Sequence, residues 1–145
     1  MKAVLQRVSH ASVVVKGDTI GAIDQGLLVF IGVEAEDDTQ AADKLIKKLL
    51  NIRVFSDAEG KMNLSVSDIA GGILLVSQFT LAADTQKGNR PGFSKAAKPE
   101  HAEMLYDYMV AKTREQHAQV ATGRFAADMK ISLLNDGPVT FLLNT

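Results

Sequence analysis

Four consecutive side chains at the end of an apolar run are the first place to look for chemistry. Ser77-Gln78-Phe79-Thr80 follows Ile73-Leu74-Leu75-Val76, so two hydroxyls and an amide arrive where a hydrophobic segment finishes. Buried polar groups need partners. In a strand, Gln78 and Thr80 share one face, and Ser77 and Phe79 share the other. The pattern leaves two readings open: a ligand is bonded here, or Thr80 is a β-former and Ser77 caps a turn.

A second constellation is Asn135-Asp136-Gly137-Pro138-Val139-Thr140. By composition it is a hairpin turn. The sharper alternative makes Gly137-Pro138 a rigid device. A cis bond before proline aims two carbonyls in one direction, and glycine lets backbone approach a ligand closely. The third feature is a basic segment with Lys87, Arg90, Lys95 and Lys98, and no acid from Thr85 to Pro99. It is either a solvated loop or a salt-dependent contact for phosphates.

Other chemistries are missing. There is no Gly-rich phosphate loop and no His-Glu-x-x-His metal signature. His10, His101 and His117 are far apart in sequence, and a surface role is expected for each. A histidine base for a hydroxyl nucleophile is therefore not visible. The chain has no cysteine, which excludes disulfides, thiolate metal sites and a cysteine nucleophile. We expect neither a metal nor a cofactor. The Glu34-Glu36-Asp37-Asp38 cluster is read as capping and solvating a helix.

The elements that must position these residues follow from periodicity. Val4 to Val15, Thr19 to Ile23 and Leu27 to Ile31 read as strands, and their short turns suggest an antiparallel meander. A helix begins near Asp38-Thr39, with Ala42, Leu45, Ile46, Leu49 and Leu50 as its apolar stripe. Strands are expected over Ile52 to Phe55 and Ile73 to Leu81. A long loop covers 82 to 98. A second helix starts at Pro99, a favoured first position, with Ala102, Leu105, Tyr106, Met109 and Val110 on one face. The tail alternates Met129, Ile131 and Leu133, turns at 135–138, and closes with Val139 to Leu143. The order βββαββαββ gives a layered α/β domain.

Composition sets the frame. The 145 residues suit a single domain over 1–145, and 46% of them are hydrophobic. With 16 basic and 17 acidic residues the net charge is -1, which excludes nucleic-acid binding through bulk charge but not through a local patch. The longest apolar run, Leu27 to Val33, is far short of the ~20 residues of a membrane helix. No signal-peptide pattern opens the chain, so a cytoplasmic protein with no membrane contact is expected.

Taken together, Ser77-Gln78-Phe79-Thr80-Leu81 and Asn135-Asp136-Gly137-Pro138-Val139-Thr140 resemble the two signature motifs of the D-aminoacyl-tRNA deacylases. Leu5-Gln6-Arg7-Val8, the segment Phe55 to Leu64 and Gly123 to Met129 are similar to that family too, so the likeness spans the chain. It implies a three-layer β/β/α fold with mostly antiparallel strands and two main helices on one face. It implies a homodimer that hydrolyses the ester joining a D-amino acid to tRNA, and removes glycine mischarged onto alanine tRNA. Gly137 and Pro138, in cis and lent by the other subunit, would then exclude L-residues, and Arg7 would hold that motif. Phe125 and Met129 would border the pocket for the terminal adenosine.

Within that picture Ser77, Gln78, Phe79 and Thr80 are the candidate catalytic residues. The Phe79 and Thr80 amides would donate to the oxyanion, and Gln78 and Ser77 would position the ribose or the amine. Without a base, Thr80 orients rather than attacks, and water assisted by the ribose 2′-hydroxyl is the expected nucleophile. Lys87, Arg90 and Lys95 are expected to meet the acceptor end of the tRNA. A non-catalytic RNA-binding module and a small oligomeric metabolite-binding domain are the competing readings.

Overall fold

The computed structural model describes Met1–Thr145. Strands β1 (Lys2–Val15), β2 (Asp18–Ile23) and β3 (Gly26–Gly32) come first, then helix α1 (Thr39–Asn51). A short ribbon, β4 (Phe55–Ser56) and β5 (Met62–Leu64), precedes β6 (Gly72–Ser77). A 3₁₀ turn (Phe79–Ala82), helix α2 (Pro99–Gln116), β7 (Val120–Thr122) and β8 (Lys130–Asn144) complete the chain.

The opening strands do not form a meander. β1 is long enough to pair twice, with β3 through Lys2–Val8 and with β2 through Ala11–Val15. The sheet order is therefore β2-β1-β3-β6-β7, with β8 on the other side of β1. Pairing is antiparallel except for β3–β6 and β6–β7. The end of the sheet folds back: a Cβ at Gly21 of β2 would lie 2.5 Å from the Thr122 carbonyl oxygen of β7. Only a glycine permits that approach.

Alternation along β3 and β6 then separates two cores. Leu27, Val29, Ile31, Ile73 and Leu75 face the helices, whose buried stripes are Ala42, Leu45, Ile46, Leu49 and Leu50 in α1 and Ala102, Leu105, Tyr106 and Met109 in α2. Leu28, Leu74 and Val76 face the folded-back ribbon, against Val8, Ala11 and Val13. Helices, central strands and ribbon make three layers. Asp38 caps α1 by accepting the Ala41 amide, as its position suggested. Thr113 rather than Val110 ends the buried stripe of α2. No helix is long and apolar enough to cross a membrane.

Four further expectations need correcting. The strand expected to reach Leu81 stops at Ser77, because the Gln78 amide closes on the Ile31 carbonyl (2.7 Å) and the chain turns into the 3₁₀ segment. The strand expected over Ile52–Phe55 is only Phe55–Ser56, and its partner Met62–Leu64 was missed, since strands of two and three residues are too short to show periodicity. Asn135–Pro138 is not a hairpin turn. It lies inside β8, as a bulge where Gln6 opposes Thr140 and Val8 opposes Asn135. His101 and His117 are half-buried ties rather than surface groups, bonded to the Asp37 and Gly71 carbonyls at 2.8 Å and 2.6 Å.

Candidate active site

The polar cluster at the end of β6 sits where the sheet meets the start of α2. Gly32 allows the 3₁₀ turn to lie flat on β3: a Cβ there would fall 2.8 Å from Leu81 Cβ and 3.1 Å from the Gln78 carbonyl. The turn brings the Gln78 amide onto the Thr80 hydroxyl, Nε2 donating to Oγ1 at 2.6 Å. The two side chains were expected on one face of a strand; they meet instead across a turn. Because Phe79 and Thr80 open the turn, their N–H groups have no acceptor within it. Thr80 is exposed and Ser77 and Gln78 are half-buried.

A cavity of about 500 Å³ opens beside this cluster. Ser77, Gln78 and Phe79 line one side and Phe125 and Met129 the other, with Pro99 of α2 between them. Each wall has a support beneath it. Tyr106 donates to the Leu75 carbonyl at 2.9 Å, and its ring centroid is 6.2 Å from that of Phe125. Burial pushes the Tyr106 phenol up to about 12, so it stays a donor at neutral pH. Met129 packs on Gly123, where a Cβ would lie 2.7 Å from its sulfur. Phe79, 57% exposed, stacks on Phe93 of the basic loop at 5.1 Å.

That loop is tied rather than free. Ala35 donates to the Lys95 carbonyl and Ala97 to the Val33 carbonyl, each at 3.0 Å, and Asp84 pairs with Gly92. Lys87, Arg90 and Lys95 point outward and are exposed.

Gly137, Pro138 and Arg7 form a second cluster, on β1 and β8, outside the lining of the cavity. The Gly137-Pro138 bond is cis. Arg7 donates Nε to the Asp136 carbonyl at 2.8 Å and Nη1 to the Val54 carbonyl at 2.7 Å. Its guanidinium thus ties the bulge to the segment before β4. Asn135 adds a clasp, its Oδ1 accepting the Val139 amide at 2.7 Å. The motif is exposed, presented outward on a braced strand.

The residues that sequence reasoning missed come from the fold. Ala97, Pro99 and Ala102 enter the cavity because α2 begins there, and Ala126, Ala127 and Asp128 because the segment before β8 forms part of its wall. Small side chains on a wall leave no mark in the sequence. The acids Glu34 and Asp37 were placed in a helix cap, but both pair with the N-terminal ammonium of the fully buried Met1.

The hydroxyl and amide groups of the cluster stand without a histidine, lysine or carboxylate bonded to them. The Ser77 hydroxyl and the Gln78 amide belong to residues that line a largely apolar pocket, and Thr80, outside that lining, is bonded to Gln78. The only ionisable side chain lining the pocket is Asp128, which is bonded to Lys130. The family model for D-Tyr-tRNA(Tyr) deacylase matches residues 4–144. The chain belongs to that family. It is 64% identical to a D-aminoacyl-tRNA deacylase of Stutzerimonas stutzeri over 145 residues, covering 100% of both chains. A second, from Saccharophagus degradans, is 63% identical over 143 residues, 99% of each. Among solved structures, the c-Myc DNA Unwinding Element Binding Protein superposes with a TM-score of 0.96 at 42% identity, covering 100% of this chain and 99% of the other. The cluster at Ser77–Thr80 is therefore the candidate active site of a deacylase.

Proposed function

We propose that this deacylase hydrolyses the ester between a D-amino acid, or glycine, and the terminal ribose of tRNA, as a homodimer in the cytoplasm where tRNA is charged. The observation that carries the reading is the pairing of Gln78 with Thr80 at the rim of an apolar cavity large enough for a nucleoside. Phe125 and Met129 border the adenosine, the Phe79 and Thr80 amides receive the oxyanion, and Ser77 and Gln78 hold the ribose or amine. An aminoacyl ester is already activated, so positioning and oxyanion stabilisation supply most of what is needed. No base adjoins Thr80 Oγ1, and it already accepts from Gln78. It orients the substrate, and water assisted by the ribose 2′-hydroxyl attacks.

The dimer reading rests on β8. Leu134 and Leu142 are 49% and 77% exposed, on a strand hydrogen-bonded along one side only, to β1. A long apolar edge of this kind calls for a partner. Leu134 precedes the bulge and Leu142 follows it, so an interface built on β8 contains Gly137-Pro138. Gln6, paired with Thr140 in the same strands, has a buried side-chain oxygen with no partner in the isolated chain. In the dimer the motif reaches the other subunit's pocket and meets the α-carbon. An L side chain collides with it, and a D side chain or hydrogen does not.

Incubating the protein with D-tyrosyl-tRNA tests the activity: free D-tyrosine accumulates, whereas a module that only binds RNA leaves the ester intact. In the same assay Thr80→Ala slows single-turnover hydrolysis about tenfold, the effect of one lost positioning hydrogen bond. Complete loss would make Thr80 a covalent nucleophile instead.

A further inference from the structure

A second cavity lies directly against the first. It measures about 610 Å³, and the segment Phe125–Asp128 lines both, so that segment is a partition with a hollow on either side. The two hollows differ in chemistry. The active-site pocket is mostly hydrophobic, with Asp128 as its one charged side chain. The second carries Lys16, Arg124 and Lys130 against that same Asp128. Lys130 is neutralised, its ammonium 3.0 Å and 3.2 Å from the two Asp128 oxygens. Lys16 and Arg124 are exposed, and the ion pairs of the chain are made by other side chains.

The backbone marks the same place. Three non-glycine residues have positive φ, and two of them, Lys16 at 49° and Ala126 at 59°, line this hollow. At Lys16 it belongs to the two-residue turn that joins β1 to β2, with Gly17 at φ 83° beside it.

We propose that this cavity seats the phosphodiester backbone of the acceptor strand immediately before the terminal nucleoside. The inference rests on the substrate reading above and adds to it the exit path of the RNA. A terminal adenosine in the apolar pocket must send its 5′-phosphate out. The cavity that shares the Phe125–Asp128 wall offers Lys16 and Arg124, a compact charge and a planar fork, both suited to phosphate oxygens. Lys87, Arg90 and Lys95, fastened beside Phe79 on a different wall, are then left for more distant parts of the tRNA.

The test compares D-tyrosyl-tRNA with D-tyrosyl-adenosine, which ends in the same ester but has no phosphate. The variant is Lys16→Asn with Arg124→Gln, since asparagine tolerates the left-handed backbone at position 16. For the tRNA, KM rises about tenfold at unchanged kcat, and the slope of log affinity against log salt flattens by about 1.4, two single-strand phosphates' worth. For the nucleoside ester both constants stay as they were. Lys16→Arg with Arg124→Lys keeps the charges and keeps the original KM. Unchanged KM and salt slope in the neutral variant overturn the inference, as does an equal loss on both substrates. If the unaltered enzyme releases tyrosine from neither substrate, the deacylase reading falls and this inference with it.

Discussion

Gly137→Val lowers hydrolysis of D-tyrosyl-tRNA and of mischarged glycyl-tRNA alike, by about a hundredfold. Gly137 has φ +150°, a conformation that side-chain-bearing residues rarely adopt. A Cβ there would stand 2.6 Å from Val139 Cγ2, 2.8 Å from the Val139 nitrogen and 3.3 Å from Arg7 Nη2. None of these gives way readily. The Val139 amide is held by Asn135, and Arg7 is held by the Asp136 and Val54 carbonyls. The bulge must rearrange, and a displacement of ~1 Å at a positioning group costs roughly a hundredfold in rate. The loss is the same for both substrates if, as proposed, the motif meets the α-carbon and not the side chain. Single-turnover rates check this, with thermal melting to show that the exposed substitution leaves the fold intact. Normal rates on both substrates would place the motif outside the active site.

The second large effect is on stability. Gly26→Ala strikes the junction of β3 and β6, which begin side by side as the parallel pair Gly26–Gly72. A Cβ at Gly26 would overlap the Gly72 carbonyl oxygen and lie 2.7 Å from its nitrogen. Both obstacles are backbone, so the strands must part or slip. This pair carries Leu27 to Ile31 opposite Ile73 to Ser77, the middle of both cores. Overpacking against backbone at such a place costs about 3 kcal/mol or more. For a chain of this size that lowers the melting temperature by roughly 10 °C. Gly92→Ala is the control. Its Cβ meets nothing closer than the Asp84 carbonyl at 3.9 Å, and melting stays within about 1 °C. A Gly26→Ala protein that melts with the original would show that the β3–β6 contact is looser than the structure has it.

The sequence disclosed the helices almost completely, because amphipathic spacing is local. Ala42, Leu45, Ile46, Leu49 and Leu50 are all buried on the predicted face. It disclosed less of the sheet. That β1 pairs with β3 along one half and β2 along the other depends on contacts far apart in the chain, which a periodic pattern does not encode. The end of β6 at Ser77 is likewise fixed by Ile31, from another strand. At the site, Ser77, Gln78, Phe79, Phe125 and Met129 do line one cavity, although two segments nearly fifty residues apart supply them. Pattern alone left Ser77–Thr80 open and made Asn135–Pro138 a turn. Their resemblance to a family's motifs singled them out, and the bulge in β8 explains why the second reads as a turn while lying inside a strand. Small wall residues such as Ala97 and Ala127 were illegible, since nothing distinguishes them from any other alanine until the fold places them.

In the proposed dimer each site joins the pocket of one subunit to the Gly137-Pro138 motif of the other. Mixing two crippled enzymes tests it most directly. One carries Gly137→Val with its pocket intact, and the other carries Gln78→Ala with its motif intact. Co-refolded at equal concentrations, half of the dimers are mixed, and each mixed dimer holds one whole site and one doubly broken site. Deacylation of D-tyrosyl-tRNA should therefore return to about a quarter of the unaltered specific activity. If the motif served its own subunit's pocket, no combination would hold a whole site. Activity no greater than the average of the two variants would contradict the account.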